Sequence, residues 1–262
     1  MNNNNMATVQ ECRNGMKRTL LWITLFSLVT LLAFACAKKD SKDSTSTATT
    51  SGCTAVSSCS ATAPTSSGTI TGIDNGTLVG TYDKFINAAS AYTIDNSTGC
   101  VSDTRLLTIY SAYMPTGTAS FKMHAVITST TSWAEQMVYY SDTACSTEIL
   151  SIVFGNSDVS VGDNVTGLTA GSGPTKPTSA TKVTYKESCM DLNPSTDAGT
   201  TYINNLLSSA NITLVTGTRA ICQGSGNTKH GLWALDNLTF TMDESSSALT
   251  DWDDPDTLTW LD

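Results

Sequence analysis

Residues 119–129, ASFKMHAVITS, alternate between apolar and polar side chains, and this alternation decides the fold class. The apolar side chains occupy every second position: Phe121, Met123, Ala125 and Ile127. Lys122 and His124 lie between them on the opposite face. A period of two with one polar face predicts a half-buried antiparallel strand. Residues 132–140, SWAEQMVYY, repeat the pattern with Trp133, Met137 and Tyr139.

The sequence on both sides of this stretch contains further strand candidates separated by turns. Strands are predicted at 77–86, 90–94, 104–113, 148–154, 181–185 and 231–242, with a hairpin at 211–222 and one or two helical turns at 201–209. Residues 165–179 read as a loop and 189–200 as irregular. About eight to ten short strands predict an all-β domain, either an antiparallel β-barrel or a β-sandwich.

An apolar segment with a basic head precedes the domain. Residues 16–36 read MKRTLLWITLFSLVTLLAFAC, with Lys17 and Arg18 before an uncharged run and small residues before Cys36. This order predicts a secretion signal, whereas a membrane-spanning helix needs about 20 apolar residues. Residues 1–15 lack signal character, and we expect translation to begin at Met16.

The end of this segment, Ala33-Phe34-Ala35-Cys36, resembles the lipid-attachment box of bacterial lipoproteins, in the looser form found in spirochaetes. The resemblance implies that Cys36 receives a diacylglyceryl thioether and an N-acyl chain such as palmitate. It also implies export and anchoring to a bacterial membrane, at the outer membrane or cell surface. Several acyl chains make such an anchor stable.

The segment divides the chain into four predicted parts. They are a signal peptide at 1–35, the lipidated cysteine and a disordered tether at 36–69, a β domain at 70–243, and an acidic tail at 244–262. The tether is rich in Ser and Thr and has too little apolar surface to fold.

Charge excludes one class of function. The chain carries a formal net charge of -9. Removal of residues 1–35 takes away Glu11, Arg13, Lys17 and Arg18 and leaves 22 acidic and 11 basic residues. Affinity for nucleic acid needs clustered Lys and Arg, so we expect no nucleic-acid partner.

The cysteines of the exported part predict disulfide bonds. Apart from Cys36, these cysteines number six: Cys53, Cys59, Cys100, Cys145, Cys189 and Cys222. An even number in an exported chain is typical of disulfides, and six cysteines allow 15 connectivities. Our hypothesis is pairing between neighbours: Cys53–Cys59, Cys100–Cys145 and Cys189–Cys222. No C-x-x-C motif occurs and the chain has two histidines, so no metal site is predicted.

Two short motifs resemble lipocalin-like barrels. Gly80-Thr81-Tyr82 is similar to their Gly-x-Trp opening strand, with Tyr in place of Trp. Residues 139–145, YYSDTAC, look like the Tyr-x-Asp-x-x-Cys strand end of small lipocalin-like exported lipoproteins. The resemblance implies a calycin-type barrel with an apolar cavity. The candidate lining residues are Tyr82, Phe121, Trp133 and Trp233.

Motifs for catalysis are missing from the sequence. Gly-x-Ser-x-Gly does not occur, His124 and His230 are expected at the surface, and 171–176 lacks the P-loop order. The acidic run 251–256 fails the calcium-loop pattern, because Pro255 and Asp256 occupy its fifth and sixth places. We therefore expect no enzyme and no cofactor.

Two functional hypotheses remain. The favoured one is a lipid-anchored surface protein that contacts a host or envelope macromolecule, and its oligomeric state is open. The alternative is a lipocalin-like barrel that binds a small apolar ligand. Whether the interior is hollow, packed or interrupted by a polar cleft discriminates between them.

Overall fold

The computed structural model describes residues 64–74, 76–169, 176–208, 212–253 and 255–261. The predicted signal segment, Cys36 and most of the tether lie outside them. The described residues form these strands: β1 (Thr69–Ile73), β2 (Gly76–Val79), β3 (Thr81–Asp83), β4 (Ile94–Asp95), β5 (Cys100–Val101), β6 (Ser120–Ile127), β7 (Trp133–Tyr140), β8 (Glu148–Thr166), β9 (Ser179–Pro194), β10 (Ala220–Gln223), β11 (Thr228–Asp236), β12 (Thr239–Ser245) and β13 (Asp256–Trp260). The α-helices are α1 (Thr104–Tyr110) and α2 (Asp197–Leu206).

Eight of these strands close into an antiparallel barrel. The order around the ring is β3, β6, β7, β8, β9, β11, β12 and β13, and β13 pairs again with β3. The predicted all-β class is confirmed, and of its two architectures the barrel is the one that forms. Closure leaves the ring without an unpaired strand edge.

The quoted alternation forms the wall of this barrel. Both predicted strands form, and β6 pairs with β7 from Ser120↔Tyr140 to Ile127↔Trp133. Because directly opposed residues share a face, Trp133 and Met137 point inward with the apolar positions of β6.

Two apolar clusters fill the two ends of the barrel. The upper core contains Tyr82, Trp133, Tyr185, Trp233 and Phe240, and the β1–β2 hairpin closes it with Ile70, Ile73 and Leu78. The lower core contains Phe85, Tyr110, Phe121, Tyr139, Leu192 and Ile203, which places side chains of α1 and α2 against the strands. Both ends are therefore plugged by side chains.

Helix α1 occupies a stretch that was predicted as a strand, 104–113. The Asp103 side chain caps the helix by accepting a hydrogen bond from the Arg105 backbone N–H at 2.9 Å. Leu106 and Tyr110 then lie four residues apart on one helical face, and both are fully buried in the lower core. Tertiary packing and the cap thus overcome the strand propensity of the β-branched and aromatic residues.

The structure also changes several strand boundaries. The predicted strand at 77–86 is interrupted at Gly80, whose φ of +84° separates β2 from β3. The predicted strand at 231–242 is the β11–β12 hairpin, which turns at Asn237 with φ of +53°. The predicted helical turns at 201–209 are confirmed as the end of α2. In place of the hairpin at 211–222, β10 pairs with β9.

Strands β8 and β9 are far longer than the segments predicted for them. Their pairing continues from Leu150↔Pro194 to Thr166↔Ser179, across three irregularities such as the one after Gly155. The predicted irregular segment at 189–200 begins inside β9 and ends in α2. Backbone hydrogen bonds hold the two strands together across these irregularities. The alternation of side chains is broken there, so the full length of the strands could not be predicted from it.

The acidic segment 244–262 was predicted as a tail, but its described residues complete the barrel. Strand β13 pairs with β12 on one side and with β3 on the other. Trp252 is 5% exposed, and its indole N–H donates to the Pro177 carbonyl at 2.8 Å. The boundary at 243 is therefore wrong, because apolar side chains inside the acidic segment bury themselves against the sheet.

The predicted Cys100–Cys145 disulfide is confirmed, with a Cα–Cα distance of 6.0 Å. It ties β5 to the turn between β7 and β8. Cys189 and Cys222 are also disulfide-bonded. Cys222 lies opposite Met190 in the β9–β10 pair, so its side chain and that of Cys189 leave the sheet on opposite faces. This register argues against the predicted Cys189–Cys222 pair, and the predicted Cys53–Cys59 pair lies outside the described residues.

Substitution of a buried tryptophan in the acidic segment tests whether that segment belongs to the fold. We expect Trp252→Ala to lower the free energy of unfolding by about 3–5 kcal/mol, because it leaves a cavity against the sheet. The control is Trp260→Ala, since Trp260 is 38% exposed and should cost less than half as much. Urea unfolding followed by far-UV circular dichroism measures both variants. Equal effects would contradict the placement of Trp252.

Removal of the confirmed disulfide should destabilise the barrel without changing its fold. The bond closes a loop with a sequence separation of 45. Loop entropy then gives an expected loss of about 4 kcal/mol for the double variant Cys100→Ala/Cys145→Ala. Urea unfolding against the parent chain measures the loss, and far-UV circular dichroism checks that the fold is retained. An unchanged midpoint would show that the bond does not constrain the unfolded chain.

Candidate ligand site inside the barrel

A ring of charged side chains lies between the upper and lower cores. We name it the charged belt, and its members are Lys84, Glu135, Glu187, Lys229, Glu244 and Asp256. Strand alternation places all six on the inner face. Glu135 is opposite Ala125, Lys229 is opposite Tyr185, and Asp256 is opposite Met242. The belt lies where four strands of the ring begin or end, because β3, β11, β12 and β13 stop at this level.

Four of the six belt residues form two ion pairs. The Lys84 ammonium lies 2.8 Å from the Asp256 carboxylate, and the Lys229 ammonium lies 3.3 Å from the Glu187 carboxylate. Both lysines are almost fully buried, with side-chain exposures of 10% and 5%. The pairing compensates for the loss of hydration that burial imposes on each charge.

Glu244 marks where the belt meets solvent. It is exposed, although it belongs to the inner face opposite Gly231. The buried Tyr185 hydroxyl donates a hydrogen bond to the Glu244 carboxylate. Burial is the main cause that raises the pKa of Tyr185 well above its ordinary value, and the nearby carboxylates Glu244 and Glu135 raise it further. Tyr185 therefore stays a hydrogen-bond donor at neutral pH.

Glu135, like Glu244, lacks a counter-charge in direct contact among the described residues. Among the described residues, its carboxyl group makes no hydrogen bond and no ion pair. Burial is the largest cause that raises its pKa to about 8, and Glu244 raises it further while Lys84 lowers it. The side chain is nevertheless only half-buried by accessible surface. Glu135 therefore combines a desolvated carboxyl with partly accessible surface on the inner face of the barrel.

Two buried indole groups lie near Glu135 on the inner face. Within the described part of the chain, the buried N–H groups of Trp133 and Trp233 meet no hydrogen-bond acceptor. Trp133 is two residues before Glu135 on β7, and its ring centroid lies 5.6 Å from that of Trp233. A Cβ atom at Gly231 would lie 2.9 Å from the Trp233 Nε1 atom. The edge of the Trp233 indole therefore packs directly over Gly231, where a larger side chain would displace it.

The predicted lining residues do not form one apolar cavity. Tyr82, Trp133 and Trp233 come together in the upper core, whereas Phe121 lies in the lower core. Tyr82 and Trp233 both pack against Phe240, at centroid distances of 5.4 Å and 5.5 Å. All four predicted residues have exposures of 3% or less. The barrel is therefore packed at both ends and polar in the middle.

The histidines lie outside the belt. His124 was predicted at the surface, but it is on the outer face of β6 with 11% side-chain exposure, 3.2 Å from the buried Asp83 carboxylate. His230 is half-buried on the outer face of β11. Among the described residues, no three His, Cys, Asp or Glu side chains are arranged to hold a metal ion.

The comparisons give no relative from which a role could be transferred. No protein-family model matches the sequence, and no curated protein matches it significantly. Neither helix in the described ranges has the length and apolar character needed to cross a bilayer. The belt must therefore be interpreted from its own chemistry.

The belt had one sequence signal that the alternation analysis passed over. In residues 132–140, Glu135 occupies the same phase as Trp133 and Met137, so a carboxyl interrupts an inward-facing apolar series. The sequence did not indicate that the other belt residues face inward, because the strands that carry them were not predicted to extend that far. These residues are Glu187, Lys229, Glu244 and Asp256. Lys84 was within the predicted strand 77–86. Because that strand is interrupted at Gly80, the sequence pattern could not show which face Lys84 occupies.

Replacement of Glu135 by its neutral isostere tests its desolvation. In the folded state its pKa is raised from 4.5 to about 8. Protonated Glu135 therefore favours the fold fully below pH 4.5, and this contribution is lost as the pH rises through 8. We expect Glu135→Gln to be more stable than the parent by roughly 2–4 kcal/mol at pH 9 and nearly equal to it at pH 4.

Urea unfolding at pH 4, 7 and 9 measures this difference. The control is Asp158→Asn, which removes one carboxyl that is 64% exposed and should show no such pH dependence. A Glu135→Gln difference that stays constant between pH 4 and pH 9 would contradict the desolvated position of Glu135.

Proposed function

We propose that this protein is a lipid-anchored, exported β-barrel that binds a small ligand at the charged belt and catalyses no reaction. One observation carries the proposal: the unpaired carboxyl of Glu135 lies on the inner face beside two buried indole N–H groups that meet no acceptor among the described residues. A buried polar group without a partner costs about 1–3 kcal/mol, so a bound molecule that satisfies it gains affinity.

The surroundings of the belt resemble small-molecule sites in general. Such sites combine aromatic walls with a few convergent polar groups. Here Trp133, Tyr185 and Trp233 form a packed aromatic cluster next to the belt, with ring centroids 5.4–5.8 Å apart. The Tyr185 hydroxyl and the Glu135 carboxyl supply the polar groups. The exposed Glu244 provides the side from which a ligand reaches them.

This arrangement favours a polar ligand over the apolar one that the lipocalin resemblance implied. The upper core is filled by its own side chains, since Trp133 and Trp233 are 1% and 0% exposed. An apolar molecule at the belt would desolvate Glu135 and its charged neighbours without satisfying them. Contact with a host or envelope macromolecule stays a prediction from the sequence.

The lipid anchor in this proposal is supported by the sequence. The segment before Cys36 has the order of a secretion signal, and its box resembles that of bacterial lipoproteins. A tether rich in Ser and Thr would then hold the barrel away from the outer membrane or cell surface. A ligand-binding barrel in this position could retain small molecules at the envelope.

Intact mass of protein purified from its native membrane tests the anchor. We expect a chain that begins at Cys36 and carries acyl chains, because the signal segment ends there. The control is Cys36→Ser, which should lose the acyl mass. If the parent protein has a mass without lipid, or a mass that includes Met16, the proposed lipid anchoring is wrong.

Native mass spectrometry of the same preparation tests ligand binding. We expect a small-molecule adduct that is lost on denaturation and is weakened in Glu135→Gln. The control is Asp158→Asn, which should keep the adduct because this residue is exposed on β8. The binding function would be contradicted by two results together. The parent protein would carry no adduct, and its Trp fluorescence would not respond to any extract of its own envelope.

A further inference from the structure

The charged belt has more negative than positive groups, and this imbalance selects a ligand. Four carboxyl groups face two ammonium groups, and each ammonium is already in contact with a carboxylate. Glu135 and Glu244 are left without an ammonium within ion-pair distance among the described residues. With Glu135 protonated the belt has a net charge of about -1, and with Glu135 ionised about -2.

We infer that the ligand of this barrel is a small organic cation, a protonated amine that also carries an oxygen acceptor. The inference rests on the proposed binding function and names its ligand class. The ammonium group would lie between Glu135 and Glu244. Carboxylates attract a desolvated ammonium group and accept its hydrogen bonds.

The oxygen acceptor follows from the indoles. The Trp133 and Trp233 N–H groups are 99% or more buried and meet no acceptor among the described residues. An ammonium group cannot accept their hydrogen bonds, but a hydroxyl or carbonyl oxygen can. The Trp233 N–H lies beside Gly231, and Gly231 pairs with Glu244 on the neighbouring strand, so a single small molecule would meet both kinds of group.

Anions and neutral molecules fit the belt less well. An anion would meet the uncompensated carboxylates of Glu244 and Glu135, which repel it. Lys84 and Lys229 could attract an anion only after breaking their pairs with Asp256 and Glu187. A neutral molecule leaves the negative charge of Glu244 without a partner. A protonated amine is attracted by the negative charge of Glu244 and Glu135, which an anion or a neutral molecule leaves uncompensated.

Binding of the cation is coupled to loss of a proton from Glu135. The charged groups that influence Glu135 are on other strands of the ring: Glu244 on β12, Lys84 after β3, Asp256 on β13 and Lys229 on β11. Tyr185 on β9 also interacts with Glu135. With a pKa of about 8, Glu135 is mostly protonated at pH 7. A cation favours the ionised form, so its binding releases about 0.9 proton per site at pH 7.

Four probe molecules of equal length separate the ligand classes. They are aminopentanol, pentanediol, hydroxypentanoate and pentylamine, which differ only in their terminal groups. Isothermal titration of the full chain should give tightest binding for aminopentanol. We expect pentanediol and hydroxypentanoate to bind at least tenfold more weakly, and pentylamine several-fold more weakly. Equal or tighter binding of pentanediol or hydroxypentanoate would overturn the inference.

Titration in buffers of different ionisation enthalpy measures the released proton. Aminopentanol affinity should rise about tenfold per pH unit from pH 6 to 7 and level off above pH 8. Glu135→Gln should weaken its binding at least tenfold at pH 8 and abolish the proton release, whereas Asp158→Asn should change neither. Absence of proton release in the parent would contradict the inference without reference to any variant.

The outcomes also separate this inference from the proposed function. If none of the four probes binds but native mass spectrometry finds a different co-purified molecule, the cation inference fails and the binding function stands. If no probe binds and no molecule co-purifies, both fail.

Discussion

Closure of the barrel depends on a three-residue strand, β3, which pairs with β6 on one side and with β13 on the other. The short strand is held by Asp83, a fully buried carboxylate. Its Oδ1 atom accepts hydrogen bonds from the backbone N–H groups of Phe85 and Ile86, at 2.7 Å and 2.8 Å. Its Oδ2 atom lies 3.2 Å from His124 of β6. Without this closure the inner face would be open to water, and Glu135 would not be desolvated.

Stability alone does not account for the charged belt inside the closed ring. Desolvation of buried ion pairs often costs as much as their attraction returns, and apolar residues of similar size would stabilise the barrel equally well. The upper and lower cores show that this chain can fill its barrel with aromatic side chains. A polar layer between two packed cores is therefore not required for stability, which is why the belt rather than the aromatic clusters is the candidate site.

The parts of the fold that alternation could predict are those where one face is apolar and the other polar. Strands β6 and β7 satisfy this condition, and both formed where the alternation predicted them, with their apolar phase inward. Helix α1 was missed because its residues favour strands by propensity. The helical conformation depends on the cap at Asp103 and on burial against distant strands. The acidic charges of 244–262 concealed Leu258, which is 6% exposed in the last strand. The belt was missed because its members come from different strands, and only closure brings them together.

The perpendicular packing of Trp133 and Trp233 has an optical consequence. Their ring planes meet at 89° with centroids 5.6 Å apart, close enough for the excited states of the two indoles to couple. A rigid chiral pair of this kind gives a near-ultraviolet circular dichroism signal, and a neighbouring carboxyl that gains or loses charge shifts the indole emission. The barrel thus carries its own chromophore at the belt. Occupation of the interior can be followed by light, without a label and without a modified ligand.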